Sequence, residues 1–203
     1  MDQPTIDPPD GGDVETAILP DPESSKRRRR QSGTKQAIEW VLLIGTALAI
    51  ALIIKTFLFQ AFYIPSDSMV PTLKTNDRVL VNKLSYKVHP VHRGDIVVFT
   101  KPPSETSDIK DLVKRVIGLP NETVGGRNGH IYINGKQLKE PYLPAGTNAG
   151  TFSDQTIPSN SVWVMGDNRA FSRDSRYFGP ILKKSIVGRV FVRIWPITRI
   201  GFL

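Results

Sequence analysis

Two serines lie between prolines in Pro65-Ser66-Asp67-Ser68-Met69-Val70-Pro71-Thr72. A serine hydroxyl attacks a carbonyl at neutral pH only when a neighbouring base takes its proton. Histidine is the usual base, and the chain has His89, His92 and His130. The first two fall among Pro, Arg and Gly and the third opens a hairpin, so surface positions are expected for all three. A neutral lysine is the other option, because burial among apolar groups depresses an ammonium pKa. Lys114 interrupts the apolar run Leu112-Val113-Lys114-Arg115-Val116-Ile117. In a strand it shares one face with Leu112 and Val116, while Arg115 shares the other with Val113 and Ile117. Arg115 keeps its proton at any working pH, so Lys114 alone could serve. The pattern by itself is better explained by a Lys114 that points to solvent. Pro, Ser and Asp in 65–72 are likewise turn formers. A third segment, Met165 to Pro180, is dense in Asp, Asn, Arg and Ser, which form charge-assisted hydrogen bonds. Its composition is also that of an ordinary surface loop.

Other chemistries find less support. The 203 residues include no cysteine, which excludes a thiol nucleophile, disulfides and thiolate zinc sites. No histidine pair has metal-ligand spacing with a carboxylate. Gly125-Gly126 and Gly129 beside Arg127 read as a flexible turn, not a phosphate-cradling loop. No metal or cofactor is expected. The net charge is +8, and residues 63–203 hold 20 bases and 11 acids. Those bases lie singly between apolar residues and no recognition motif accompanies them, so no nucleic-acid partner is expected.

The elements that must hold these residues fall into three stretches. Residues 1–36 form a tail in which 1–25 are rich in Pro, Asp, Gly and Ser and too poor in apolar residues to repay ordering. Five bases, Lys26 to Arg30, follow. Residues 37–62 are apolar, with no charge from Trp40 to Ile54. The length suits a membrane-spanning helix. The basic flank and the aromatic residues Trp40, Phe57, Phe59, Phe62 and Tyr63 suit its two interfaces, and Lys55 can snorkel. No small-x-small cleavage site directly follows, so an uncleaved single-pass anchor is expected. The bases place the N-terminus in the cytoplasm and residues 63–203 on the outer side of the cell membrane. That exported stretch carries short β-branched runs at 78–82, 95–100, 111–117, 130–134, 161–165 and 186–194, separated by turn residues. Asn134-Gly135 marks a hairpin. The fold class expected is mainly β: an antiparallel β-sheet domain behind a single N-terminal transmembrane helix.

Four motifs, "PSDSMVPTL" at 65–73, "RGDIVVF" at 93–99, "VKRVIGLPNE" at 113–122 and "MGDNRAFSRDSRYFGPI" at 165–181, stand in this order behind the apolar segment. Together they resemble the bacterial type I signal peptidases. The resemblance covers the anchor and most of residues 40–195. It implies a β-rich domain that cuts signal peptides from exported preproteins through an acyl-enzyme, with small side chains preferred at the first and third positions before the cut. Position by position it implies Ser68 as nucleophile and Lys114 as general base. Ser66 would join the Ser68 N–H in the oxyanion hole, and Ser172 would hydrogen-bond and orient the lysine. Asp174 and Arg176 would form a supporting salt bridge, and Arg115 and Asp167 would support the structure nearby. Preprotein signal peptides and membrane lipid are the partners implied. The chain departs from the family at Ala170-Phe171, where an acidic residue and Asn are frequent, and its accessory region is reduced to about residues 120–160. The alternatives are a Ser-Lys peptidase acting on itself or on one dedicated protein, and a non-catalytic anchored binding domain.

Overall fold

The computed structural model of the chain describes residues 22–54 and 58–203. Helix α1 runs Pro22–Ile53, and within it Gly33–Leu52 is long and apolar enough to cross a membrane. Its 20 residues extend about 30 Å at ~1.5 Å per residue, the thickness of a bilayer's hydrocarbon. Leu42 and Leu43 are exposed on it. The expected span of 37–62 reaches further than the helix does. Phe59–Tyr63 is strand β1, paired antiparallel with β2 (Arg78–Asn82) in the register Phe59↔Asn82 to Tyr63↔Arg78. Hydropathy alone does not separate the two elements, because aromatic and β-branched residues suit a half-buried strand as well as an interface. Ile64 follows into the core instead of an interface: it is buried against Val79 and Val81. Lys55 and Phe57 lie outside the described residues, as does the tail up to residue 21.

The remaining elements in chain order are α2 (Ser85–Val88), β3 (Ile96–Thr100), β4 (Asp111–Gly118), β5 (Thr123–Arg127), β6 (His130–Ile133), β7 (Lys136–Gln137), β8 (Phe152–Thr156), β9 (Ser161–Met165), α3 (Ser175–Phe178), β10 (Ile181–Leu182), β11 (Ile186–Trp195) and β12 (Gly201–Phe202). Among the described residues the strands form two antiparallel sheets. The larger has the order β1-β2-β11-β3-β4-β9-β10, with β12 on β11. The smaller has the order β7-β6-β5-β8 and falls within residues 120–160. Each of the six runs read from the sequence is a strand, with ends shifted by a residue at most.

The glycine-rich stretch is the correction. Gly125 and Gly126 are not a turn but the middle of β5, and they are glycine because side chains of the paired strand β8 fill the space above them. A Cβ on Gly125 would stand 2.0 Å from Asp154 Oδ1, and one on Gly126 would stand 2.5 Å from the Phe152 ring. Phe152 stacks on Trp163 at 5.6 Å, and this pair joins the small sheet to β9 through a core that includes Ile117, Val124, Ile131 and Met165. The β6–β7 hairpin turns at Asn134 and Gly135 with φ of 49° and 77°, the pair of positive values that a two-residue type I′ turn requires.

Candidate active site

The 65–73 segment is pinned from below. Met69 and Leu73 are fully buried with Ile64, Val79 and Val98, and Leu73 N donates to Met69 O at 2.9 Å. Burying Met69 turns its neighbours Ser66 and Ser68 away from that core. Between them Asp67 Oδ1 accepts from Thr75 N at 3.1 Å and Thr75 Oγ1 at 2.8 Å. Those bonds, the side-chain one foremost, hold the Asp67 carboxyl below its usual range.

Lys114 sits mid-sheet on β4, opposite Val97 of β3. It is only 4% exposed, so the solvent-facing reading of the pattern does not hold. Its Nζ stands 2.6 Å from Ser68 Oγ. Burial pulls its pKa from the ordinary 10.5 down to about 8, against the opposing attraction of Asp174, Glu105 and Asp167. An amine neutral near pH 8 and in hydrogen-bond reach of a hydroxyl can take that hydroxyl's proton. Ser66 Oγ lies 3.4 Å from Ser68 Oγ, on the same exposed side.

The 165–180 segment closes round the pair. Gly166 has no room for a side chain: a Cβ there would stand 2.3 Å from Ser172 Oγ and 2.4 Å from Ser68 O. Asn168 N donates to Ser68 O at 3.1 Å, and its Nδ2 donates to Asp67 O at 3.1 Å. Asp174 accepts from Gly166 N at 3.0 Å and forms two bonds with the Arg176 guanidinium, at 2.8 and 2.9 Å. Arg176 in turn donates to the carbonyls of Arg169 and Ser172. Arg115 holds Asp167 through Nε at 2.9 Å and Nη2 at 2.7 Å, and Thr72 Oγ1 donates to Asp167 Oδ2 at 2.5 Å.

All eight residues singled out by the sequence are therefore brought together. One implied contact is not formed: Ser172 Oγ is buried but has no hydrogen-bond partner among the described residues. Phe171 of the departing Ala170-Phe171 pair is exposed, and its N–H closes the loop on Asn168 O at 3.0 Å. Sequence reasoning missed Asn168, Arg169, Glu140 and Tyr142. Arg169 is buried and paired with Glu140, and Tyr142 lies under Arg115. Nothing in a Glu-Pro-Tyr triplet announces contacts so far along the chain.

A family model described as signal peptidase, peptidase S26, matches residues 37–195. The signal peptidase I of Leptolyngbya laminosa is 42% identical over 170 residues, 82% of this chain and 83% of that protein. Signal peptidase IB of Staphylococcus aureus strain MRSA252 is 36% identical over 185 residues, 83% of this chain and 94% of that one. A crystal structure of a signal peptidase I from Enterococcus faecalis V583 is 33% identical, with a TM-score of 0.41 over 50% of this chain and 97% of that one. The family match takes in the buried lysine, exposed Ser66, half-buried Ser68 and the loop closed over them, and it spans most of the sequence. The chain belongs to the signal peptidase family, peptidase S26, and is a peptidase.

Proposed function

We propose that this is a membrane-anchored serine endopeptidase that removes signal peptides from exported preproteins by a Ser68–Lys114 dyad. The observation that carries the reading is the 2.6 Å approach of Lys114 Nζ to Ser68 Oγ with the lysine buried. Lys114 takes the Ser68 proton as Oγ attacks the scissile carbonyl. The developing oxyanion faces the Ser68 N–H and the Ser66 hydroxyl. Lys114 then gives its proton to the leaving amine, and the signal peptide stays on Ser68 as an ester. Water, deprotonated by Lys114, releases it. Asp174, Arg176, Arg115 and Asp167 hold the surrounding backbone. Gly33–Leu52 is the anchor, with the bases before it on the cytoplasmic side and residues 63–203 outside. The small sheet within 120–160 is the accessory part of that outer domain.

Cleavage of a preprotein by the purified chain tests the reading, and two of its consequences are quantitative. Lys114 acts only when neutral, so kcat/KM should fall about tenfold per pH unit below a pKa near 8. A rate flat from pH 6 to 9 argues against Lys114 as the base. Ser66→Ala removes one oxyanion donor and leaves the dyad intact. It should lower kcat by about 10²–10³ with little change in the pH midpoint; a midpoint that moves with it would assign Ser66 to the proton path instead.

A further inference from the structure

The loop between β7 and β8, which belongs to the small sheet, reaches into the site at two side chains. The Glu140 carboxylate accepts from Arg169 Nη1 at 2.9 Å and from Nη2 at 2.5 Å. The Arg169 side chain is 1% exposed and that of Glu140 11%. Tyr142 Oη donates to Glu140 Oε1 at 2.6 Å, and its ring lies 4.0 Å from the Arg115 guanidinium carbon. Burial pushes the Tyr142 hydroxyl up, so it remains a donor at working pH. Arg115 holds Asp167, and Asp167 and Arg169 flank Asn168. The contacts close a circuit from Arg115 through Asp167, Arg169, Glu140 and Tyr142 back to Arg115. The residue held inside it, Asn168, is the one that hydrogen-bonds the carbonyls of Asp67 and Ser68.

We propose that Glu140 and Tyr142 are positioning residues: through Arg169 and Asn168 they fix the Asp67-Ser68 backbone that carries the nucleophile and its oxyanion N–H. The proposal rests on the Ser68–Lys114 reading. A buried ion pair gives little net stability compared with apolar packing, whereas a fully satisfied polar network holds one arrangement. A displacement of about 1 Å at a reacting group can cost about 10² in rate. The small sheet thus sets the geometry of a site to which it contributes no reacting atom.

The experiment uses the full chain in detergent with a soluble signal-peptide substrate, below each variant's unfolding midpoint. Tyr142→Leu should lower kcat about 10- to 100-fold with KM within threefold of wild type. Tyr142→Phe keeps the ring over Arg115 but loses the bond to Glu140, and its kcat should fall between those of Tyr142→Leu and wild type. Arg127→Ala breaks the exposed Arg127–Asp154 pair of the same small sheet and should leave kcat unchanged. A Tyr142→Leu kcat within twofold of wild type overturns the positioning role. So does an Arg127→Ala loss as large as that of Tyr142→Leu, which would mark general loosening. Ser68→Ala is assayed alongside. If it is inactive while Tyr142→Leu is unaffected, only the positioning role falls; if it cleaves normally, the dyad falls and the positioning role with it.

Discussion

Ser68→Ala and Lys114→Met should each remove preprotein cleavage, by about 10⁴-fold or more, and the double variant should be hardly worse than either. In the proposed mechanism the two side chains, 2.6 Å apart, act as one proton-transfer unit, so deleting either should leave the other idle. The effects of the two variants on folding stability should differ. Ser68 is at the surface edge of its segment, and its loss is nearly neutral. Lys114 is a buried amine whose folded pKa of about 8 lies below its ordinary 10.5. Between pH 8 and 10.5 the unfolded chain holds a proton that the folded chain lacks, and below pH 8 the folded chain holds it only at the full cost of a buried charge. At about 1.4 kcal/mol per factor of ten, that gap destabilises the fold by about 3 kcal/mol. The penalty shrinks as pH rises from 8 to 10.5 and is gone above it. Lys114→Met should therefore be inactive yet more stable than wild type at pH 7, with the difference fading by pH 10.5. Urea unfolding at both pH values reads it. A Lys114→Met chain that is less stable at pH 7, or that still cleaves, would refute the account of this lysine.

Asp167→Ala should be the most damaging single change to the fold. The Asp167 side chain is fully buried and Arg115 nearly so, and two hydrogen bonds join them. Removing the carboxylate leaves a buried guanidinium without its counter-charge and Thr72 Oγ1 without its acceptor. Breaking such a pair costs about 3–5 kcal/mol, a large share of the roughly 5–15 kcal/mol that holds a domain together. The thermal midpoint should drop by about 6–20 °C at ~2–4 °C per kcal/mol. Replacing both partners, as Arg115→Met with Asp167→Leu, should recover part of the loss, since no charge is then stranded. A drop in Asp167→Ala under about 2 °C would mean that solvent reaches Arg115 and that the pair is not structural.

The strands at 78–82 and 161–165 were legible because their β-branched runs are bounded by turn residues, and burial is what those residues achieve. β1 was hidden inside a longer apolar run, where strand and membrane helix share a composition. β5 and β8 were hidden for a different reason. Gly125-Gly126 is glycine because of the Asp154 and Phe152 side chains on the neighbouring strand, and Phe152–Thr156 is largely exposed; neither fact is local. At the site, the chemical types of Ser68 and Lys114 could be read, but the burial that tunes Lys114 could not. The motif resemblance, not spacing, singled out Asp174, Arg176 and Asp167. Glu140 gave no signal, since its partner Arg169 lies 29 positions away and a glutamate after a hairpin is ordinarily solvated.

The strand order carries one more implication, for the sequence of events in folding. β11 lies between β2 and β3, so the segment bearing Ser68 follows β1 on one side of it, and Lys114 lies on β4 at the other. β11 pairs Arg189 with Asn82 on one edge and with Val97 on the other, and its Arg193 donates to the carbonyl of Thr72 at 2.8 Å. The β1–β2 and β3–β4 hairpins are local and can close early, but the sheet does not join them until β11 has been made and has paired with both β2 and β3. Such long-range pairing is slow, because the loop must be closed before any contact rewards it. A nascent chain halted before Ile186 would thus carry both Ser68 and Lys114 and should remain inactive. Activity should therefore appear only once that last long strand has taken its place in the sheet.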